Sequence, residues 1–228
     1  MIPETVHENA DPLVEEFAAR WLALGGAVHW ASGAAESRQA VIEALQRMLP
    51  ARERRPRLVA WCDSALSALD LPSLREELDA ELTLWEALPG ESTTAAAARL
   101  RGQAAAADLG LVSCAWAVSS TGTVAVYAAP GSGRSVSLLP PACIFVVRPE
   151  RVVATLGEGF ALLMTEGGDS ADALSAEAVS AAAMPPAALP SAVNLISGPS
   201  RSADIEGELV VGVHGPGNVT VVIARGLD

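Results

Sequence analysis

Four polar loops hold the residues of this chain that are best suited to chemistry. They span residues 119–123, 131–137, 197–206 and 214–218, and each one borders a run of apolar residues. Short apolar runs predict buried strands, and ligands of open α/β sheets collect in the crevice beyond the strand ends. The sequence therefore predicts a binding site assembled from these loops.

The first loop is rich in hydroxyl groups. Thr121 and Thr123 flank Gly122, which would let the backbone approach a ligand closely. We interpret the three residues as substrate-binding, with the threonine hydroxyls donating hydrogen bonds. The alternative is a tight turn between two strands, in which the hydroxyls satisfy local backbone groups.

The second loop combines glycines with a cation. Gly131 and Gly133 precede Arg134 and Ser135, and backbone N–H groups in such loops can form a concavity for anions. The Arg134 guanidinium would add a bidentate hydrogen-bonding fork. The glycine spacing does not match a dinucleotide-binding fingerprint. The alternative is a solvated loop without a ligand.

The third loop is predicted to turn from a strand end into a short helix that runs to residue 206. Unpaired N–H groups at the start of that helix would then meet an anion beside the serine and arginine side chains. The carboxylates would orient the arginine or bind a ligand hydroxyl, unless the segment is simply a capped helix start. The candidate binding residues are Ser197, Gly198, Ser200, Arg201, Asp204 and Glu206.

The fourth loop contains His214 between glycines at the end of a strand. We expect His214 to be the catalytic acid or base, or a hydrogen-bonding anchor, with Asp204 or Glu206 orienting it. A structural imidazole that caps backbone groups is the alternative. The three histidines are far apart in the sequence, so we expect no metal site.

Helix and strand patterns alternate through residues 1–110, which favours a mostly parallel sheet flanked by helices. Helices are predicted over 12–24, 37–49 and 94–109, with Gly110 closing the last, and short helices begin at Asp63 and Pro72. Strands are predicted over 27–30, 57–62 and 82–85. This α/β fold class is expected to carry a smaller antiparallel portion.

Residues 111–228 are richer in strand patterns and carry the four loops. Strands are predicted over 111–119 and 124–128, meeting at a glycine turn, and over 143–147, 193–196, 209–213 and 219–224. A helix is predicted over 152–164, whereas 167–190 is rich in Ala, Ser and Pro and only partly helical at best. We expect 1–110 and 111–228 to be parts of a single domain.

The charge and the cysteine content exclude several functions. The chain has 228 residues and a net charge of −12, and all 15 cations are arginines. A Schiff-base lysine and a Walker-A lysine are therefore excluded, and the acidity argues against nucleic acid. Three dispersed cysteines favour neither disulfides nor a bound iron–sulfur cluster. No apolar segment of about 18 residues and no signal peptide is found, so we expect a cytoplasmic protein that does not enter the membrane.

Taken together, these motifs resemble the LUD domain family. The matching segments are 121–123 (Thr-Gly-Thr), 134–140, 196–206 (with its Ser-Gly-Pro-Ser and Asp-Ile-Glu) and 212–216 (Gly-Val-His-Gly-Pro). The resemblance implies the fold of ribose-phosphate isomerases and CoA transferases. It also implies a role in oxidising L-lactate to pyruvate, as a component that itself lacks a cofactor and works with iron–sulfur partner proteins.

Two positions depart from the pattern of the family. Ser120 stands where the family usually has Glu before Thr-Gly-Thr, and Cys143 stands where it usually has His. Cys143 could act as a nucleophile or be an inert, small apolar residue. Two further functions therefore stay open: a stand-alone binder or enzyme for a small anionic metabolite (a sugar phosphate, a carboxylate or a CoA thioester), and a non-catalytic scaffold.

Overall fold

The structure, a computed structural model, describes residues 11–49, 54–129, 131–166, 190–203 and 209–227. Its strands are β1 (Ala27–Ser32), β2 (Arg57–Ala60), β3 (Glu81–Leu84), β4 (Leu109–Ser113), β5 (Trp116–Val118), β6 (Thr123–Tyr127), β7 (Ala142–Val147), β8 (Val152–Val153), β9 (Val193–Ile196), β10 (Arg201–Ala203), β11 (Leu209–Val211) and β12 (Asn218–Arg225). Its α-helices are α1 (Pro12–Ala23), α2 (Gly33–Met48), α3 (Ser64–Ser67), α4 (Leu71–Glu77), α5 (Thr93–Ala106), α6 (Ser135–Leu138) and α7 (Leu156–Glu166). A 3-10 helix spans Pro149–Arg151.

The largest sheet has six parallel strands in the order β1-β12-β7-β4-β2-β3. Central β7 is buried at every position, as its continuous apolar run predicts. Strands from both sides of residue 110 belong to this one sheet. The predicted mostly parallel sheet flanked by helices is confirmed.

A second sheet has four strands in the order β8-β5-β6-β9. β5 and β6 are antiparallel and meet at the turn around Gly122, as predicted. Helix α7 contacts β5 and β8. The Phe160 and Trp116 rings pack edge-on, with 5.6 Å between their centroids. The smaller antiparallel portion expected from the sequence is therefore present, and β10 and β11 add a separate antiparallel ribbon.

Helix boundaries follow local capping. The Asp11 carboxylate accepts a hydrogen bond from the Leu13 N–H, and Pro12 occupies the first helical position of α1. The Ser92 hydroxyl caps α5 by accepting from the Ala95 N–H. Both helix starts lie within one residue of their predicted positions.

Four sequence predictions need correction. The segment predicted as one strand over 111–119 is divided into β4 of the six-stranded sheet and β5 of the four-stranded sheet. Gly110 does not close α5 but lies within β4, where a side chain would collide with the Val136 carbonyl of α6. The segment predicted as one helix over 152–164 begins as β8, because Val152 and Val153 pair with β5, and becomes helical only at Leu156. Residues 201–203, predicted to be helical, form β10.

The ribbon explains the last correction. Arg201, Ser202 and Ala203 pair with Val211, Val210 and Leu209, so their backbone groups join a ladder instead of a helical turn. The predicted segment 167–190 lies outside the described residues, except for Pro190. No helix among the described residues is both long enough and apolar enough to cross a bilayer.

Candidate functional site

The parallel sheet has two chemically different edges, because all six strands run the same way. We call the edge where the strands begin the amino edge and the edge where they end the carboxyl edge. The first, third and fourth polar loops, which we call loops 1, 3 and 4, reach the amino edge next to the starts of β1, β7 and β12. Loop 2 reaches the carboxyl edge beside the end of β2.

Three hydroxyls form a chain at the amino edge. The Thr123 Oγ1 lies 2.7 Å from the Thr121 Oγ1 and 2.8 Å from the Ser197 Oγ. Thr123 is buried, whereas Thr121 and Ser197 are exposed. The structure therefore joins loops 1 and 3, which are more than 70 residues apart in the sequence, in one hydrogen-bonded group.

Gly122 has a structural reason at this site. Its φ of +60° is in the left-handed region, and a Cβ there would lie 2.8 Å from the Cβ of Arg20 and 3.0 Å from the Trp21 nitrogen. The glycine thus lets the turn pack against α1. In the described structure, the absence of a side chain at Gly122 permits this contact with α1 rather than the approach of a ligand.

Loops 3 and 4 meet through their backbones. The Ser200 N–H donates to the Pro216 carbonyl at 2.8 Å, and the Ser200 carbonyl accepts from the Gly212 N–H at 2.9 Å. The Gly217 N–H then donates to the Pro141 carbonyl just before β7. The Ser200 side chain lies beside Gly215, while His214 is exposed on the same loop.

Arg201 is tied to α1. Its guanidinium donates to the Leu24 carbonyl at 2.6 Å, which satisfies a free carbonyl at the helix C-terminus and places a cation near the negative end of the helix dipole. Gly198, with φ +81°, packs against Leu24, and a Cβ there would lie 2.9 Å from the Leu24 Cβ. One guanidinium edge is used structurally, and the side chain as a whole is exposed.

The predicted helix start beside Ser200 is wrong, because the chain continues into β10. An anion therefore meets no helix N-terminus at this point. Asp204 and Glu206 lie outside the described residues, so their assignment to Arg201 or His214 stays a prediction.

The glycine-serine loop at the carboxyl edge is held firmly. The Gly131 carbonyl accepts from the Cys62 N–H at 3.0 Å, and the Gly133 carbonyl accepts from the Trp61 Nε1 at 2.9 Å. Gly133 packs directly on the Trp85 indole, where a Cβ would collide with the ring. The segment thus closes over the ends of β2 and β3, and its role in binding an anion stays a prediction.

Arg134 follows this loop and precedes α6. Its side chain is exposed, and its guanidinium forms no hydrogen bond or ion pair with the part of the chain that the structure describes. The Ser135 carbonyl accepts from the Leu139 N–H within α6. Nothing in the described structure brings Arg134 or Ser135 into the amino-edge cluster.

Sequence reasoning missed a polar group at the carboxyl edge. The Asp63 carboxylate accepts from the Ser113 hydroxyl at 2.8 Å and from the Leu66 N–H at 2.9 Å. The Cys62 Sγ lies 3.8 Å from a Glu86 carboxylate oxygen. Partial burial and the Glu86 charge raise the pKa of the Cys62 thiol, which keeps it protonated near neutrality. The sequence does contain a signal for this polar group, because Cys62 and Asp63 directly follow an apolar strand.

The two departures from the family pattern have different surroundings. Ser120 is exposed on the turn between β5 and β6. Cys143 is completely buried in β7, opposite Gly110 and Val219, and burial raises its thiol pKa well above the usual value. A protonated, buried thiol favours the small apolar role over the nucleophilic one.

The six-stranded parallel sheet and the motif loops at its amino edge define the class of this protein, which is an α/β protein with its motifs at the start of the strands. A family model described as the LUD domain matches residues 14–224. The chain belongs to the LUD domain family. Among the described residues, no group of three His, Cys, Asp or Glu side chains is placed to hold a metal ion.

Curated relatives and a solved structure agree with this family. The chain is 31% identical over 192 residues to the Lactate utilization protein C of an Exiguobacterium species, covering 84% of this chain and 71% of that protein. It is 32% identical to the Halalkalibacterium halodurans protein of the same name, covering 70% of this chain and 58% of the relative. A crystal structure of a DUF162 family protein from Deinococcus radiodurans has the same fold, with a TM-score of 0.54, 22% identity and coverage of 93% and 96% of the two chains.

Proposed function

We propose that the chain is a cytoplasmic subunit of an L-lactate-oxidising system and acts with partner proteins that carry iron–sulfur clusters. The observation that carries this proposal is the meeting of the motif segments at the amino edge, within residues 14–224 that match the LUD domain model, in a chain similar to proteins named Lactate utilization protein C. The chain spans only 58% of the length of the Halalkalibacterium relative. The activity of that whole protein is therefore a proposal for this chain.

The amino edge offers groups that suit a small hydroxy acid. The hydroxyl chain from Thr121 through Thr123 to Ser197 supplies neutral donors and acceptors. Arg201 uses one nitrogen for the Leu24 carbonyl and keeps further N–H groups for a carboxylate. His214, exposed nearby, would accept the proton of the substrate hydroxyl.

The redox balance requires a partner. Oxidation of lactate to pyruvate releases two electrons and two protons, and the side chains at the amino edge supply no electron acceptor. This chain would bind the hydroxy acid, with His214 taking the proton of the hydroxyl group and water taking the proton from the C2–H bond, while the two electrons pass to the iron–sulfur clusters of the partner proteins.

A clean deletion of the gene tests the pathway. We expect slow or absent growth on L-lactate with normal growth on glucose, restored by the intact gene. Affinity-tagged chain should co-purify with proteins that show the visible absorption of iron–sulfur clusters. Unimpaired growth of the deletion strain on L-lactate would contradict the proposal.

Binding tests the site. Titration with L-lactate, followed by NMR, should shift amide signals at the amino edge, and a Thr123→Val, Ser197→Ala variant should bind at least 10-fold more weakly. Thr94→Val is the matched control, because Thr94 is exposed on α5 far from the hydroxyl chain along the sequence. Equal affinity of the double variant and the control would argue against this site.

A second candidate function is favoured by Arg134 at the carboxyl edge, whose guanidinium has no partner among the described residues. A small anionic metabolite such as a sugar phosphate, carboxylate or CoA thioester would bind to that guanidinium. Such a ligand should raise the melting temperature of the intact chain but not of Arg134→Ala, with Arg101→Ala, another exposed arginine, as the control. The absence of a shift across the three ligand classes would remove this candidate.

A non-catalytic scaffold is the remaining candidate, and the buried thiol at position 143 favours it. Ser120→Glu restores the exposed carboxylate of the family without disturbing the core. A gain of ligand binding or activity in Ser120→Glu would indicate a lost site, whereas an active parent protein would exclude the scaffold.

A further inference from the structure

Among the described residues, the ribbon of β10 and β11 has one strand edge that pairs with no other strand. Ser202 lies opposite Val210, and the Gly212 N–H donates to the Ser200 carbonyl. Hydrogen-bonded pairs alternate along an antiparallel ladder, so Ser202 and Val210 are the next bonded pair. The backbone groups of Leu209 and Val211 therefore point away from β10.

The exposed edge is apolar as well as unpaired. Val210, Val211 and Val213 are 41%, 51% and 55% exposed, and residues 209–213 contain no charge and no proline. In the part of the chain that the structure describes, β11 pairs with β10 alone. Such an edge is a template for an added strand, and proteins usually protect it with charges, prolines or a cover.

We propose that a second copy of this chain pairs with β11, in an antiparallel arrangement about a two-fold axis at Val210. A two-fold interface must be self-complementary, and this strand meets that condition. With Val210 opposite the same residue of the other copy, Leu209 of each chain faces Val211 of the other. Both of these positions have outward backbone groups, so the pairing forms about four new hydrogen bonds.

The charge order along the sequence favours the antiparallel direction. Asp204, Glu206 and Glu208 precede the strand, and His214 follows it. Antiparallel copies keep the acidic residues of the two chains at opposite ends of the paired strands, whereas parallel copies would place carboxylates beside carboxylates. This charge order favours the antiparallel over the parallel orientation of the two copies.

The interface is small. Pairing of two three-residue strands buries less than the roughly 1,200 Å² of a standard stable interface, and each chain carries a net charge of −12. We therefore expect a reversible, concentration-dependent dimer. The proposal does not depend on a role in lactate oxidation, because it rests on the strand edge alone.

Sedimentation equilibrium over a wide range of protein concentration tests the dimer. The unmodified chain should pass from monomer to dimer, and Val210→Lys should weaken association at least 10-fold because it places two cations opposite each other at the axis. Leu88→Lys is the matched control, since Leu88 is also an exposed apolar residue but lies in the loop after β3. A monomer at every concentration, or association that Val210→Lys leaves unchanged, would overturn the proposal.

Cross-linking tests the register. Opposed residues in a non-hydrogen-bonded antiparallel pair have Cα atoms about 4.5 Å apart, which suits a disulfide. In a Cys62→Ser background, which removes the exposed native thiol, Val210→Cys should give a covalent dimer under mild oxidation. Leu88→Cys should not, and equal yields from the two variants would contradict the predicted register. Circular dichroism of each variant confirms that the fold is retained.

Discussion

The two edges of the parallel sheet use similar residue types in different ways. At the amino edge, the hydroxyls of Thr123 and Ser197 lie 2.8 Å apart, and His214 is exposed on a loop that bonds to the Ser200 backbone. At the carboxyl edge, the indoles of Trp61 and Trp85 hold a glycine loop over the ends of two strands. Open α/β sheets commonly bind ligands at their carboxyl edge, but most of the family motifs here lie at the amino edge.

This difference teaches that a polar loop beside an apolar strand can lie at either end of the sheet. The edge is decided by whether the loop precedes or follows a parallel strand, as Gly217 precedes β12 and Cys62 follows β2. Three sets of variants compare the two edges and a fourth experiment follows one carboxylate, and they are given from the largest expected effect to the smallest.

The largest effect is expected at two carboxylates, one at each edge. Asp108, before β4, accepts from two Arg54 nitrogens at 2.8 and 2.7 Å and from the Arg57 N–H at 2.9 Å, while Asp63, after β2, accepts from Ser113 and Leu66. Asp108→Asn should lower the free energy of unfolding by about 2–3 kcal/mol and Asp63→Asn by about 1–2 kcal/mol. Urea unfolding measures both, and a larger loss for Asp63→Asn would reverse the comparison.

The next effect concerns glycines that admit close packing. Gly133→Ala forces a methyl group into the Trp85 ring, and Gly122→Ala combines a positive φ with contact to α1. We expect each to cost about 1–3 kcal/mol in thermal or urea unfolding. Gly102→Ala, inside α5 with open space around it, should instead stabilise by about 0.5–1 kcal/mol. If Gly133→Ala had no effect on stability, this would argue against the close packing of the glycine loop on Trp85.

A smaller effect separates the two motif arginines. Arg201→Ala removes a partner of the α1 C-terminus and should cost about 0.5–1 kcal/mol. Arg134→Ala should change stability by less than about 0.5 kcal/mol, because its guanidinium has no partner among the described residues. Matched urea titrations of the two variants check this, and equal losses would mean that Arg134 has a structural partner.

The smallest effect is a pH dependence in the loop between β3 and α5. Hydrogen bonds from Arg99, and then from the Leu88 N–H, hold the pKa of Glu91 at about 2, below its ordinary value of 4.5. The folded pKa is lowered, so this stabilisation is complete above pH 4.5 and is lost as the pH falls toward 2. In Glu91→Gln, the acid side of the stability curve should be flatter. An NMR titration of Glu91 with a midpoint near 4.5 would contradict the assignment.

Much of the fold follows from local patterns. The Asp11-Pro12 cap, the buried run of β7 and the glycine turn at Gly122 each depend on neighbouring residues, and each lies where the sequence predicts it. The assignment of Gly110 to a helix end is wrong because a glycine is required there by close packing against Val136 of α6, which is distant in the sequence. Local signals therefore locate elements, while packing between distant elements decides their ends.

The site was predictable only in part, for the same reason. The hydroxyl residues were identified, yet their meeting depends on the pairing of β6 with β9, which no local signal encodes. Residues 201–203 were assigned to a helix because a Ser-Arg-Ser sequence after a Pro turn suits a helix start, but pairing with 209–211 makes them a strand. Arg201 was identified as an anion ligand, and its bond to Leu24 became visible only in three dimensions.

The central claim is that the amino edge is the functional surface of this chain, and complementation of a deletion strain tests it most directly. Growth rate on L-lactate is measured with three plasmids that carry the intact gene, the Thr123→Val, Ser197→Ala variant and the Arg134→Ala variant, at matched protein levels. We predict normal growth with the intact gene and with Arg134→Ala, and at least 5-fold slower growth with the amino-edge variant. Normal growth with the amino-edge variant and loss of growth with Arg134→Ala would contradict the claim and place function at the carboxyl edge.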